Sequence, residues 1–532
     1  MNERVIDLVV VGLYLVSITG IGLWVGRRTS NTSEGYFLGG RSFNWVLVGI
    51  SIYATNISAA SFIGGAGLAF NVGFAAANPE LLGGFFLSLS AMFMIPLYLR
   101  ARISTLPQFL ELRFNRTAKL FYGCVNVIRS LLNAPIYAYV SALAILGLFG
   151  FEINTGNILI CSATVACTIG LYVIYGGLKS VVVTDVIQVV IMLAGGIAVV
   201  LVGLYEVGGI GALYESVGSE KFELLLPYES EQFAWDAVLF GNGTASAIYA
   251  ICAIGVLQRV LGAKSVDDAQ KGMLLGGFLK MFSMFLFALP GLIALALYPG
   301  VAPDEAYTHL VRETLPIGLR SLVLAAMVAA LMSSEDSQLN ATASVIALDI
   351  VPSIWKRIEE KRALLVGKIA VAFKMIFGVL AAPFIMHFDA GVLELILKVA
   401  GFLILPAGVC FIFGRFSRRT NGYGAVATLF TGMVLGIYYV LCSSIPDLRH
   451  LLPDIVAETQ FYRVYPFLFL FLASVMLIVS YLTPAPSEEK LDCLNLKEAV
   501  DSVGATKKPL HKRYGFWMTL YLIFFFGMYA IF

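Results

Sequence analysis

Apolar residues come in runs of about twenty or more along this chain, set apart by short charged or turn-forming segments. A bilayer core of about 30 Å needs roughly 20 such residues per helix. Runs of that length lie near residues 6–25, 43–70, 74–99, 120–150, 155–175, 183–206, 235–257, 274–298, 318–348, 365–386, 392–414, 422–443, 461–482 and 515–532. The pattern predicts an all-α integral membrane protein of about 14 spans. The first run, Ile6 to Val25, has no small-x-small cleavage site ahead of Arg27 and Arg28, so it reads as a retained span and not a signal peptide.

Composition agrees. Of 532 residues, 59% are hydrophobic and 13% charged, with a mean hydropathy of +0.85. Soluble domains run near ~45–50% apolar and ~25% charged. The net charge of +2 is too small to suggest a nucleic-acid partner. The longest hydrophilic stretches, 207–234 and 484–514, are too short for a soluble domain, so function must reside among the helices. A membrane scaffold without transport activity is the alternative at this level.

Charge placement is more informative. Most Lys and Arg fall in odd-numbered loops: Arg27, Arg28 and Arg41; Arg100 to Lys119; Lys179; Arg259, Lys264 and Lys271; Lys356 to Lys368; Arg415 to Arg419; and Lys490 to Arg513. The positive-inside rule puts these in the cytoplasm and both termini outside. The seven cysteines are scattered singly, all but Cys493 in apolar segments, and form no disulfide framework or CxxC motif. His309, His387, His450 and His511 cluster nowhere as metal ligands would, which speaks against an intramembrane metalloenzyme. Nothing resembles a channel's repeated filter, and the tail before the last span is too short for a sensor's signalling domain.

Two spans are poor material for continuous lipid-facing helices. Ser51 to Gly65 places Thr55, Asn56, Ser58, Ser61 and paired glycines in mid-membrane, and Gly241-Asn-Gly-Thr-Ala-Ser246 repeats the oddity five spans later. Interrupted helices at matching places in two halves point to a transporter's binding site; a glycine helix-packing face is the competing explanation. Ionisable residues inside spans are the second signal, because each costs a few kcal/mol unless paired or wetted. Glu80, Arg129, Asp185, Lys280, Glu335 and Asp336 are the informative ones, while Arg129, Lys374, Glu394 and Lys398 read more simply as structural ion pairs. Lys280 could also snorkel to the interface.

Ser333 to Thr342 is the densest polar run in any span. Its hydroxyl and carbonyl oxygens suit a small hard cation. Helical spacing puts Ser333, Asp336 and Ser337 on one face, with Ser334 about 100° round. A solvated, inert helix end is the alternative.

Tyr36-Phe-Leu-Gly-Gly-Arg-Ser, Ala54-Thr-Asn-Ile-Ser58, Leu106-Pro-Gln-Phe-Leu110, Arg113-Phe-Asn115, Tyr175-Gly-Gly-Leu, Thr184-Asp-Val-Ile-Gln188, Gln258-Arg259, Ala263-Lys-Ser265 and Ser333-Ser334 follow in collinear order. With the layout of spans, they resemble the sodium:solute symporter family, in particular its bacterial sodium/sugar cotransporters. The resemblance implies a LeuT-like core of two inverted five-helix repeats with broken first helices. Spans two to six (43–206) form repeat one and spans seven to eleven (235–414) repeat two, with peripheral helices in 1–42 and 415–532.

The same resemblance implies a first Na+ held by Ala54, Ile57, Ala330, Ser333 and Ser334. A second cation would use Asp185, Asp336 and Ser337 with Ser333; Asp336 departs from the expected Ser or Thr, so this cation is sodium or, alternatively, a proton. Solute-binding positions match Asn56, Ser61, Glu80, Asn133, Ser246, Tyr249 and Lys280. Ser61 stands where Gln or His is expected, Ser246 where Asn is, and the expected Gln of the eleventh span falls near Leu397. Sialic-acid-transporting relatives carry Arg where this chain has Asn133, although Arg129 lies one turn away. The implied activity is sodium-coupled import of a neutral sugar or polyol, with an organic anion such as sialic acid as the alternative. No enzyme activity and no obligatory protein partner is expected, and the expected setting is a bacterial inner membrane.

Overall fold

The computed structural model describes residues 3–28, 32–355, 358–387, 392–444, 446–453, 456, 461–492 and 514–532. No strand occurs among them. The principal helices are α1 (Glu3–Gly26), α2 (Trp45–Asn56), α3 (Ala59–Val72), α4 (Asn78–Phe93), α5 (Arg116–Phe149), α6 (Thr155–Val207), α7 (Gly243–Cys252), α8 (Ile254–Leu261), α9 (Val266–Leu297), α10 (Ile317–Val345), α11 (Glu360–Ala381), α12 (Val392–Phe416), α13 (Gly422–Ser444), α14 (Phe461–Leu482) and α15 (Tyr514–Ile531).

Local sequence sets their ends. Asn44, Asn115, Asn154 and Ser265 each accept a backbone N–H three residues on, opening α2, α5, α6 and α9. Gly150 and Gly208, at φ 65° and 97°, close α5 and α6.

α6 is formally one helix of 53 residues, which would extend for about 80 Å if straight. It is not straight. At Gly177 φ is +57° and ψ −150°, and a Cβ added at Gly22 of α1 would lie 2.5 Å from Tyr172 Cβ and 3.4 Å from Thr184 Cγ2. Residues twelve apart in sequence can flank one point only if the chain reverses, so α6 is a hairpin of two antiparallel arms.

By length and apolarity, ten helices among the described residues could cross a membrane, or eleven if the bent pair Ala237–Cys252 and Ile254–Leu261 is one span. Hydropathy predicts about 14. The differences have local causes: the α6 hairpin counts once, α3 and α4 run together through a 3-10 turn, and Trp45–Asn56 and Gly401–Phe416 are short.

Two helices break in mid-span. Between α2 and α3, Ile57 (φ −105°, ψ 127°) and Ser58 (φ −125°, ψ 170°) are extended. Between α7 and α8, Ala253 (φ −72°, ψ 105°) bends the path by 42°. The second break corrects the expectation drawn from Gly241 to Ser246. Those residues instead pass through a π-helical turn, Ala237–Asn242, into α7. Gly241 serves close packing, because a Cβ there would sit 2.1 Å from the Tyr462 carbonyl oxygen of α14.

α9 packs along α2, α3 and α4, while α10 packs along both arms of α6 and along α1. Ion pairs fasten the periphery. Asp7 of α1 accepts Arg320 Nη2 at 2.9 Å and Ser321 Oγ at 2.6 Å from α10. Arg463 of α14 grips Asp236 with Nε at 2.7 Å and Nη2 at 2.8 Å.

Gly177→Ala should lower the melting temperature of the detergent-purified protein by several degrees. The backbone conformation alone costs on the order of 1–3 kcal/mol for an L-residue, and the new Cβ would lie 2.3 Å from Tyr36 O. Gly20→Ala, where nothing lies within 4 Å, is the control. Equal melting of both variants would remove the hairpin's dependence on glycine.

Candidate cation and solute site

Breaking α2 from α3 frees backbone carbonyls that water cannot reach. Ala54 O accepts Ser333 Oγ of α10 at 3.0 Å, and Ile57 O accepts Ser334 Oγ at 2.9 Å. Ser333 Oγ also lies 3.2 Å from Ala330 O. All five positions assigned to the first sodium therefore meet at one buried place, where α10 crosses the break. Adjacent serines 100° apart on the helix reach two carbonyls that are themselves three residues apart.

The positions assigned to a second cation lie one turn further along α10. Asp185, on the second arm of α6, accepts Ser51 Oγ of α2 at 2.5 Å. Asp336 accepts the Tyr172 hydroxyl at 2.6 Å. Ser337 Oγ lies 2.6 Å from Ser333 O, 3.0 Å from Thr55 Oγ1 and 3.2 Å from Asp336 Oδ1. Arg259 of α8 enters the same cluster: Nε bonds Ser51 Oγ at 3.1 Å, Nη1 bonds Gly255 O at 2.7 Å, and Nη2 reaches Ser337 Oγ and lies 3.7 Å from Asp185 Oδ2. Asp185, Asp336 and Arg259 are all fully buried. Two carboxylates thus face one guanidinium, and Asp185 Oδ1 has no hydrogen-bond partner.

Arg259 is a correction to the charge count, which puts it in a loop. It lies within the broken span, where Asp185 and Ser51 make its burial tolerable. Glu335 takes a different partner. Although next to Asp336 in sequence, it points away and pairs with Lys374 of α11 at 3.1 Å, so the two carboxylates do not share a site. Lys374 thereby finds the partner expected of a structural ion pair.

Among the solute positions, Lys280 of α9 donates to Glu80 Oε2 of α4 at 2.5 Å. Tyr249 is half-buried on α7 and lies within electrostatic range of Glu80, Arg129 and Arg259. Asn133 is buried with Oδ1 unpartnered. Ser246 Oγ bonds Asn242 Oδ1 at 3.1 Å, and Asn56 Nδ2 bonds Ile52 O at 2.7 Å. Ser61 is turned back on its own helix end, its Oγ accepting Ser58 N at 3.3 Å in a capping box. Arg129, with Asn126 and Gln338, lines a gap of about 10 Å3, room for one water at most. The side chain of Leu397 lies outside the described residues.

Sequence reasoning misses Tyr14, Ser51 and Tyr172. Tyr14 accepts Gln188 Nε2 at 3.3 Å. The signal for Ser51 was its i, i+4 spacing to Thr55; the tyrosines are hidden among aromatic residues of apolar helices. No group of three or more His, Cys, Asp or Glu side chains suited to a metal occurs among the described residues.

A sequence profile described as the Sodium:solute symporter family matches residues 36–432. The Sodium/myo-inositol cotransporter of Homo sapiens is 29% identical over 91% of this chain and 74% of its own length. Sodium/glucose cotransporter 4 of Mus musculus is 31% identical over 81% of this chain and 68% of its own. These relatives are transporters, not enzymes. A solved structure of a Na+-coupled sialic acid symporter, in a substrate-bound outward-open state, superposes with a TM-score of 0.76 at 20% identity, covering 91% of this chain and 99% of that one. The common fold is LeuT-like.

Arg259→Gln should destabilise the protein on the order of 3–5 kcal/mol, because it strands buried carboxylates. Adding Asp185→Asn should restore part of the loss. Monodisperse yield and melting temperature after purification read both effects, and a single variant as stable as wild type would show that the cluster does not depend on this charge.

Proposed function

Because the chain belongs to the sodium:solute symporter family, we propose that it imports a small neutral solute of the sugar or polyol class with sodium, by alternating access. The observation that carries the coupling is the meeting of Ala54, Ile57, Ala330, Ser333 and Ser334 across two helices. Their oxygens are hard ligands. A serine hydroxyl that now donates to a carbonyl can rotate to offer a lone pair, so sodium would replace two hydrogen bonds with ion contacts. The ion then ties the α2–α3 break to α10 and fixes the outward-facing arrangement that favours solute. Linkage makes the effect mutual, since solute must raise sodium affinity by the same factor.

The neutral-solute reading rests on Lys280 and Glu80. Bonded to each other at 2.5 Å, they present one donor group and one acceptor group with no net charge, which suits vicinal hydroxyls. Asn56, Asn133, Ser246 and Ser61 would add polar contacts, and Tyr249 would cover a ring face. An organic anion would have to compete with Glu80 for Lys280 or use Arg129, whose gap of about 10 Å3 is too small for it. Relatives named for inositol and glucose support the same class.

Asp185, Asp336 and Ser337 form the proposed second cation site. Two carboxylates against the single Arg259 leave one negative charge for sodium or a proton to neutralise. The moving units are read as the repeats 43–206 and 235–414, with the basic loops cytoplasmic and both termini outside, in a bacterial inner membrane. One sodium crossing 100 mV contributes about 2.3 kcal/mol, and a tenfold sodium gradient about 1.4 kcal/mol more. Together they can concentrate a neutral solute about 500-fold.

Proteoliposomes with an inward sodium gradient should accumulate radiolabelled inositol or a hexose. Ser334→Ala should raise the sodium concentration needed for half-maximal uptake at least tenfold, and Lys280→Ala should abolish uptake. Sodium-independent flux in wild type would overturn the proposal, and uptake of sialic acid alone would move recognition to Arg129. Asp336→Ser should keep uptake sodium-dependent while changing the sodium-to-solute ratio or its pH dependence. An unchanged ratio at every pH would remove the second site.

A further inference from the structure

A crevice between α9, α15 and the start of α2 lies apart from every position discussed above. It encloses about 620 Å3, within the ~300–1,000 Å3 typical of ligand sites. Leu274, Leu275 and Phe278 of α9 form one wall, Trp517 and Leu520 of α15 the other, and Trp45 closes an end. Lys271 is the charged residue at its rim. From Lys271 to Phe278 the wall runs about 10 Å.

We propose that this crevice binds a phospholipid whose headgroup carries a phosphate and a primary ammonium, with an acyl chain along the apolar wall. Trp45, Lys271 and Trp517 all fall in the first two turns of their helices. They therefore mark one membrane face, at the depth where tryptophans of membrane proteins settle. Lys271 Nζ lies 2.7 Å from Asp267 Oδ2, one turn nearer the helix start. This order is complementary to the headgroup. Lys271 donates to the phosphate close to the acyl region, and Asp267, further out, accepts from the terminal ammonium. A choline headgroup has no N–H to donate, and a glycerol headgroup gives Asp267 hydroxyl donors but no cation to offset its charge. Trp45 N donates to Asp268 Oδ1 at 3.1 Å, so α2 and α9 are fastened together beside the crevice and its mouth is a built feature.

The test uses the full-length chain, with Trp24, Trp235 and Trp355 replaced by phenylalanine, in phosphatidylcholine nanodiscs doped with acyl-brominated lipid. Brominated phosphatidylethanolamine should quench Trp45 and Trp517 at a several-fold lower mole fraction than brominated phosphatidylcholine. Lys271→Gln and Asp267→Asn should each bring the two lipids together. Equal quenching by both lipids in the unsubstituted crevice would overturn the proposal, leaving ordinary lipid contact or a partner helix. So would quenching by brominated phosphatidylglycerol as strong as by phosphatidylethanolamine, or a preference that survives both substitutions. The comparison of lipids is decisive without either variant, so a poorly folding substitution does not spoil it.

Discussion

A carbonyl freed inside a bilayer has no water to turn to, and leaving it bare costs several kcal/mol. Both broken helices of this protein meet that constraint with hydroxyl groups from neighbouring helices. At the α2–α3 break the donors are Ser333 and Ser334. At the α7–α8 break they are tyrosines: Tyr98 donates to Ile251 O at 2.9 Å and Tyr122 to Cys252 O at 2.6 Å. These four hydroxyls bond carbonyls beside the two breaks.

The two solutions differ in what they permit. A serine hydroxyl on a rigid helix can rotate about one bond and leave its carbonyl to a cation. Tyr98 and Tyr122 cannot withdraw in this way, because both rings pack edge-on against Phe411, at 6.1 and 5.5 Å, and Tyr98 also meets Phe109 at 5.4 Å. The second break is therefore pinned by packing while the first is held by exchangeable bonds. That asymmetry fits the proposed cation site at the first break, although the two helices are related in layout.

Much of this was legible in the chain. The polar run around Asn56 announced a break by its local composition, whereas the two adjacent serines that face it were paired with it only through the family resemblance. The position of the second break was not legible. Gly241 to Ser246 look like a break, whereas Ala253 carries no sign of one; the tyrosines that bond the two carbonyls before it come from elsewhere in the fold. Arg259 was misplaced for a related reason. A rule that counts basic residues at membrane edges cannot know that Asp185, 74 positions away in sequence, will pay for its burial. Glu335 and Asp336 show the limit of adjacency, since neighbours on a helix face different helices.

Charge bookkeeping inside the membrane separates balanced pairs from one unbalanced cluster. Glu80 with Lys280 and Glu335 with Lys374 are one-to-one pairs. Asp185, Asp336 and Arg259 are not, and the Ser337 hydroxyl connects this cluster to Ser333 through the Ser333 carbonyl. At the proposed sodium site, an ion at Ser333 and Ser334 would meet dipoles one turn from two carboxyl groups that share a single guanidinium. Under that proposal, any negative charge left on the cluster would be felt over several ångströms in the low dielectric and would favour a cation without the rigid cage of direct carboxylate ligands. An ion held mainly by carbonyls and hydroxyls could leave again if the break and α10 separate, as the proposed transport cycle requires.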